Sequence, residues 1–600
     1  MYLADREGFS DMTTANPKRI LVCVAWPYAS GDRHLGHVAG AYLPPDIFAR
    51  YHRLMGHDVL VVSGSDTHGT PTTVRAEEEG VTPREIVDRY HAHFLENFRQ
   101  LGLTFDLFTE TDTENHWATT HDVFLTLLKN GYIYRDTMRQ PFCLDCQRWL
   151  PDRYVEGICP LCGYDGARGD QCDNCGHTLD ATELGQPRCK ICGGSHIEVR
   201  ETEHFFLDLK KLNEPLLAWM REGKEHWRPN ALNFALRQLE SGKLRGRPIT
   251  RDIAWGITIP LEGFEDKRIY VWFDAVIGYL AATKEWAKIT GDAEAWREWW
   301  QNPDVPSYYF IAKDNITFHT IMWPGILIGY GGLNLPYDVP ANEFLMVAGK
   351  KLSASRRWGV TIPDFLSRYD PDPLRYMLTI NAPETQDVNF TWEEFLRRNN
   401  DELVATWGNL ANRVLGFAYK RFDARVPEPG ELDDTDTALL AKVEAGFERV
   451  GELIALCKFK AALAEAMALA HEANRYLNEK EPWKRIKTDR PAAATSIYVA
   501  LQVIDWLKMI FCPFLPFSSQ RLHEYLGYEG SIIGRLYIET VQEETRSHQV
   551  LRYDGSGTVG RWAPAKLPPG QPLRKPAPLY RKLDESIVDE EVARMMGGAG

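Results

Sequence analysis

Eight of the eleven cysteines fall between residues 143 and 192, as four C-x-x-C pairs: Cys143/Cys146, Cys159/Cys162, Cys172/Cys175 and Cys189/Cys192. No other feature limits the fold as strongly. Each C-x-x-C turn aims two thiolates at one tetrahedral ion, and two turns complete a four-sulfur site. The segment is rich in Gly, Asp and Pro and has little periodicity, so metal replaces an apolar core that it cannot build. Two structural Zn2+ ions are therefore expected. Spacing favours nesting, with Cys159, Cys162, Cys172 and Cys175 around an inner ion and Cys143, Cys146, Cys189 and Cys192 around an outer one. Consecutive pairing is the alternative. Thiolate-only sites leave no position open for substrate, so both are structural. A redox or disulfide cluster is the competing reading, and spacing argues against it. Cys23, Cys457 and Cys512 lie in apolar stretches and read as buried thiols.

Six hundred residues call for two to four domains. A net charge of -14 argues against a generally basic nucleic-acid coat, but binding depends on local patches. No apolar run reaches the roughly 18 residues that span a bilayer, so no membrane is expected. The opening "MYLADREGFSDMTTANPKR" lacks a basic segment followed by an apolar core, so no secretory signal is expected. A cytoplasmic location follows from these two expectations.

"RILVCVAW" (19–26) and "DVLVVSGSD" (58–66) read as buried strands. Residues 35–55 favour helix, interrupted near Pro44 and Pro45. "TPREIVDRYHAHFLENFRQLGL" (82–103) is an amphipathic helix with Thr82 as N-cap and Pro83 in the first turn. The alternation predicts an α/β domain, a parallel sheet covered on both faces. It breaks at the cysteines and resumes with "IYVWFDAVIGYL" (269–280) and "SYYFIAKDN" (307–315), which read as strands entering functional loops, and "FHTIMWPGILIGYG" (318–331), a helix. The α/β domain is thus split by an insertion. From about residue 391 helical patterns dominate and strand signals vanish until about 535, which predicts a helical bundle. Residues 541–600, with "KLPPGQPLRKPAP", read as an extended tail that wraps loosely over the surface or stays mobile. The boundaries are 1–17 (flexible lead-in), 18–120 and 249–345 (halves of the α/β domain), 121–248 (insertion), 346–390 (loop and linker), 391–540 (bundle) and 541–600 (tail).

"HLGH" (34–37) lies where the first strand hands over to a helix. Alone it is an ordinary pair of histidines at a helix start, spaced i, i+3 with no nearby acid for a metal. Its place is the carboxyl edge of a parallel sheet, where ligands bind, and a helix N-terminus attracts phosphate. Imidazole N–H groups there can follow charge developing on a phosphate, and Gly36 lets an aromatic base lie against the backbone. Far along the chain, "GKKLSASRRWGV" (349–360) sets Lys351 on a Gly/Ser loop with Arg356 and Arg357 behind it, the second half of a nucleotide site.

HLGH after a first strand and a K-x-S-x-S loop after the last are marks of class I aminoacyl-tRNA synthetases. With "PYASGDRHLGH", "GSDTHGTP", "YVWFDAVIGY", "AKDNITFH" and the cysteine knuckles, the chain resembles the methionyl-tRNA synthetase family over roughly residues 18–540. The isoleucine, valine and leucine synthetases carry a large editing insertion, whereas the insertion here is short and mostly knuckle. The resemblance implies a Rossmann-type doubly wound sheet, the knuckle module as a connective insertion, and an anticodon-binding bundle. It implies a ligase that activates L-methionine with ATP (as its Mg2+ complex) to methionyl-adenylate, releasing pyrophosphate, then charges tRNA(Met). A catalytically inactive synthetase-like tRNA-binding protein is the alternative.

By the resemblance, His34 and His37 stabilise the ATP phosphates and Lys351 contacts phosphate. Gly36, Asp314, Ala354 and Ser355 complete the ATP site. Ala354 replaces the second lysine of the usual K-M-S-K-S loop. Asp66 matches the carboxylate that holds the methionine ammonium. Tyr28, Trp272, Ala275, Tyr279 and His319 match pocket positions; Trp26 stands where relatives carry a smaller aliphatic residue, and Trp323 joins the pocket. Arg251 looks like a basic residue near the active site. Asn409, Arg413 and Trp483 match the anticodon-reading residues, with Lys420, Arg421, Lys484 and Arg485 as nearby phosphate contacts. No appended tRNA-binding barrel is apparent after residue 540, so a monomer is expected.

Overall fold

A computed structural model describes residues 18–597 except 170, 171, 173, 176–178, 348, 349 and 352–358. Its centre is a seven-stranded sheet. Five strands are parallel, in the order Ala341–Asn342, Ser307–Ala312, Arg19–Val24, Asp58–Ser65, Leu107–Glu110. The Val-rich strands are buried on both faces, as a sheet covered by helices requires. The order reverses between Arg19–Val24 and Ser307–Ala312, which opens a crevice at their carboxyl ends.

The helical stretch after the first strand is interrupted as expected. A wide turn, Val38–Tyr42, precedes the helix Leu43–Leu54, whose first turn accommodates the prolines. Thr82 caps the helix Pro83–Leu101 in a reciprocal box with Glu85. One expectation fails. "VWFDAVIGYL" is not a strand but the start of the helix Val271–Ile289, preceded by the two-residue strand Arg268–Ile269. Residues around nearly the whole circumference of this helix are buried, so no amphipathic stripe marked it.

The insertion is a stalk with a head. Strands Ile133–Cys143 and Ile197–Leu207 run antiparallel along their full length, ending at the pair Cys143 and Ile197. The head holds a three-stranded sheet and its own small core of Leu150, Tyr154, Val155 and Ala167 among cysteines. It rests on the helix Thr70–Glu79, where Arg148 pairs with Glu77 at 2.8 Å.

The bundle packs helices Asn409–Arg421, Asp434–Ala455, Phe459–Lys480 and Arg490–Phe511. The last is long and apolar enough to cross a bilayer, but it is the core of this bundle and 94% of its apolar window is buried. Fully buried Arg375 joins bundle to sheet. Its guanidinium donates to Asp46 Oδ2 (2.6 Å) and to the carbonyls of Pro513 (2.9 Å), Phe514 (2.8 Å) and Leu101 (3.2 Å). A buried charge this thoroughly paired fixes one docking geometry.

The tail also differs from expectation. Strands Arg535–Gln542 and Ser547–Asp554 form a hairpin whose second strand pairs antiparallel with Leu107–Glu110, Leu551 opposite Phe108, completing the main sheet. The chain then runs extended across the bundle, with Trp562 Nε1 donating to the Phe447 carbonyl at 3.0 Å. It ends in the helix Ile587–Gly597, held by Glu591 on Arg368. Pro, Gly and charge in this segment mark an irregular path, not a loose one.

Candidate active site

The crevice at the strand-order reversal is a cavity of about 890 Å³. Trp26, Tyr28, His34, His37, Trp272 and Asp314 line it, as do Gly36 and Arg251. The first strand and the strand Ser307–Ala312 deliver residues from both sides, as the topology dictates.

The two halves of the expected nucleotide site meet through backbone. The N–H of Leu35 donates to the Val360 carbonyl (3.1 Å), the N–H of Ile362 to the Arg33 carbonyl (2.8 Å), and His34 pairs antiparallel with Thr361. The segment after the Lys351 loop is thereby fastened onto HLGH. The backbone of Lys351 belongs to a short strand, opposite Met346. Its side chain, Ala354 and Ser355, together with Arg356 and Arg357, lie outside the described residues.

His34 precedes the helical turn in extended conformation, and its backbone N–H donates to His37 Nδ1 at 3.2 Å. The rings stack with centroids 3.7 Å apart. A backbone N–H can only donate, so Nδ1 of His37 accepts and the proton of the neutral ring sits on Nε2. Asp314 stands in the turn Lys313–Asn315 that ends the strand Ser307–Ala312. Its neighbour Lys313 is held by Glu343 (2.8 Å) and Asp387 (2.6 Å).

The aromatic residues form a connected wall. Trp272 stacks on Phe318 at 4.0 Å and meets the edge of Tyr28 at 5.9 Å. Trp26 wedges between two glycines: a Cβ on Gly278 would lie 2.7 Å from its indole, and one on Gly64 would overlap it. Trp26 Nε1 is buried without a hydrogen-bond partner. Behind it, Tyr279 donates its hydroxyl to His319 Nε2 at 2.7 Å, because His319 Nδ1 donates to the Asn315 carbonyl at 3.0 Å. Burial, against the pull of that carbonyl, brings the His319 pKa down to about 4, so the ring is neutral. Ala275 is buried on the same helix as Trp272 and Tyr279. Trp323 is fully buried against Tyr279 and Trp300; like Asp66, Ala275, Tyr279 and His319, it stands behind the residues that line the cavity. Arg251 lies 3.7 Å over the ring of Tyr270.

Asp66 ends the strand Asp58–Ser65 and is tied to the first loop by its N–H on the Pro27 carbonyl (2.8 Å). It is 2% exposed, and Oδ1 has no partner. Burial and then Asp274 push its carboxyl well above the usual range, while His68 opposes them. Sequence reasoning missed His68, Asp112 and Asp274. His68 Nδ1 bonds Asp274 Oδ2 at 3.0 Å, and Nε2 lies 3.5 Å from Asp112 Oδ1, an ion-pair distance too long for a good hydrogen bond. Burial alone would depress the His68 pKa, but the two carboxylates outweigh it and lift it to about 10. One imidazolium thus sits between two carboxylates, beside a third that has an open oxygen. His68 stood in the quoted "GSDTHG" and Asp274 in "YVWFDAVIGY", but no local pattern joins them.

The cysteines form two clusters, Cys143, Cys146, Cys189, Cys192 and Cys159, Cys162, Cys172, Cys175. The nested arrangement holds because the stalk register brings Cys143 and the 189–192 turn to the same end. Sulfur separations are 3.6 Å (Cys143–Cys192), 3.7 Å (Cys146–Cys189), 3.9 Å (Cys159–Cys175) and 3.6 Å (Cys162–Cys172). A tetrahedron with 2.3 Å metal–sulfur bonds has edges of about 3.8 Å, so each donor set fits one tetrahedral ion.

On the bundle, Asn409 and Arg413 lie one turn apart on the same helix, Asn409 exposed and Arg413 partly so. The Arg413 guanidinium sits 4.2 Å over the ring of Trp483. Lys420, Arg421, Lys484 and Arg485 are exposed nearby in sequence.

Comparison with known proteins places this geometry. Residues 20–415 match the family described as tRNA synthetases class I (M), and residues 426–536 the anticodon binding domain of methionyl tRNA ligase. The methionine–tRNA ligase of Thermomicrobium roseum is 56% identical over 97% of this chain and 99% of its own length. That of Chloroflexus aggregans is 56% identical over 97% of this chain and 100% of its own. Mycobacterium tuberculosis methionyl-tRNA synthetase, solved in complex with methionyl-adenylate, superposes with a TM-score of 0.74 at 26% identity, covering 94% of this chain and 99% of that one.

Proposed function

The chain belongs to the class I methionyl-tRNA synthetases, and we propose how its residues divide the work of that family's reaction. It is a ligase: L-methionine and ATP give methionyl-adenylate and pyrophosphate, and methionine then passes to tRNA(Met). The carrying observation is the backbone pairing of residues 33–35 with 360–362, which brings HLGH and the Lys351 segment together at the switch point.

In this reading the triphosphate, with its Mg2+, lies over the start of the Leu35–His37 helix. His37 presents Nε2–H to it, His34 stacks alongside, and Lys351, Ala354 and Ser355 supply further phosphate contacts. Gly36 leaves room for the base, and Asp314 faces the ribose. No covalent enzyme intermediate is needed. The carboxylate of methionine attacks the α-phosphorus and pyrophosphate leaves, so rate comes from positioning and from donors aimed at developing charge. Asp66 Oδ1 accepts the methionine ammonium, which supplies the partner that this buried oxygen lacks. The thioether lies among Trp26, Tyr28, Trp272, Ala275 and Tyr279, a dry wall suited to a polarizable sulfur. His319, fixed neutral, and Trp323 support that wall from behind.

Asn409, Arg413 and Trp483 read the anticodon by stacking and hydrogen bonding. The metal of both knuckles is Zn2+, the usual ion for four thiolates. Cytoplasmic residence as a monomer completes the reading; metal-binding thiols persist in a reducing compartment.

The test is ATP–pyrophosphate exchange on purified protein across the twenty amino acids without tRNA. Exchange with methionine alone supports the pocket assignment and shows that Ala354 is tolerated. Exchange with another aliphatic amino acid overturns the pocket around Trp26 and Trp272. No exchange with any, from metal-replete protein, moves the reading to tRNA binding alone.

A further inference from the structure

The hairpin that completes the sheet turns charged side chains inward. The Glu543 carboxylate accepts the N–H groups of Glu114 (3.0 Å) and Asn115 (3.1 Å), the opening turn of the helix Glu114–Lys129. In return the Glu114 carboxylate accepts the N–H groups of Glu544 (3.0 Å) and Thr545 (2.7 Å). His548 Nε2 donates to Glu285 at 2.7 Å, and Glu285 lies on the helix that carries Trp272, Asp274 and Tyr279. Between these anchors, Arg546 Nη1 reaches Asp112 Oδ2 at 2.9 Å.

Asp112 is the point where the hairpin meets the amino-acid site. Oδ2 takes Arg546 and, at 3.1 Å, Arg84; Oδ1 faces His68. Both arginines are divided partners: Arg84 is shared with Glu110 (2.7 Å) and Asp88, and Arg546 with Glu543 at 3.6 Å. His68 passes the constraint to Asp274, and its own backbone N–H bonds the Asp66 carboxylate. Every group in this chain of contacts from Asp112 inward is nine-tenths or more buried, with Trp117 and Trp255 edge-on to His68. Loss of one partner in such a surrounding is felt by the next.

We propose that Arg546 is a positioning residue for amino-acid recognition: supplied by the hairpin that follows the bundle, it fixes Asp112, which holds His68 against Asp274 and so sets the site of Asp66. This rests on Asp66 as the ammonium carboxylate. Arg546 contacts Asp112 and Glu543, neither of them on the nucleotide side, so the effect falls on methionine.

The experiment measures methionine-dependent ATP–pyrophosphate exchange in full-length Arg546→Ala and Arg546→Lys, with KM for methionine and for ATP determined separately. Arg546→Ala raises KM for methionine by roughly 2–30-fold, the range for coupling through a side-chain network, with KM for ATP unchanged. Arg546→Lys restores most of it. The proposal is overturned if KM for methionine stays at the wild-type value, if both KM values rise together, or if the lysine variant gives no rescue. Should Arg546→Ala fail to fold, Asp112→Asn carries the same test, with the same split expected and the same results overturning it. Wild type without methionine-dependent exchange sinks the functional reading instead, a result distinct from any of these.

Discussion

His37 Nδ1 accepts the backbone N–H of His34, so one histidine of HLGH sets the tautomer of the other. The proton of His37 is thus placed on Nε2 before any ligand arrives. His37→Ala removes that donor and frees the His34 N–H. Methionine-dependent pyrophosphate exchange should fall about 10²–10³-fold in kcat, as when one preorganised donor to transition-state charge is lost. KM for methionine should hold within a few-fold. Steady-state exchange kinetics checks both; a fall in KM-limited rate alone would contradict the assignment.

His319 is kept neutral by burial, with a pKa of about 4 against a usual 6.5. Above pH 6.5 neither the folded nor the unfolded state takes the proton. As pH falls below 6.5 the unfolded chain binds a proton that the folded chain refuses, and stability drains until about pH 4. The stability gap between wild type and His319→Asn should therefore shrink by about 1.4 kcal/mol per pH unit across that window, and stay level above it. Urea melts of both proteins at several pH values measure it.

Trp26 and Gly64 were fitted to each other, since a Cβ at Gly64 would overlap the indole. Gly64→Ala should destabilise by about 1–3 kcal/mol, the usual cost of overpacking. Trp26→Leu makes room, so the double variant should recover stability relative to Gly64→Ala alone. Strict additivity in this cycle would show that the overlap is relieved elsewhere.

The Arg413 guanidinium over Trp483 makes a preformed platform for a base. Trp483→Ala should lower tRNA(Met) charging by roughly 10–100-fold, from about 1–3 kcal/mol per stacked base. Pyrophosphate exchange without tRNA should be untouched. Equal loss in both assays would place Trp483 in the fold and not in recognition.

Each cysteine cluster offers four sulfurs and one tetrahedral hole. Elemental analysis should find two zinc ions per chain, and Cys189→Ser should weaken the outer site alone. The stalk end should then open before the inner knuckle does, seen as faster amide exchange at residues 143–146 than at 159–162.

Much of this was legible because the chemistry sits on short, local signatures. HLGH at the sheet edge and the C-x-x-C pairs are each recognisable within a few residues, and the parallel strands announce themselves by unbroken apolar runs. What escaped was non-local or lacked contrast. The helix Val271–Ile289 is buried around most of its surface and rich in β-favouring residues, so it read as a strand. His68, Asp112 and Asp274 meet across some 200 residues of sequence. The nesting of the cysteines stayed open until the register of the stalk closed it. The strand signal near 535 was visible, but its hairpin mate Ser547–Asp554 pairs with a strand that lies about 440 residues earlier.

That last pairing has a consequence for how the protein is made. At about 5–20 residues per second, the ribosome delivers Leu551 roughly 20–90 s after Phe108. Throughout that interval the strand Leu107–Glu110 has a bare edge, and Asp112 waits for Arg546. A nascent chain halted before residue 546 therefore exposes a sticky flank, and its Asp112 lacks one of its arginines. The strand that covers the sheet edge and the arginine that steadies Asp112 arrive together, long after the residues they serve.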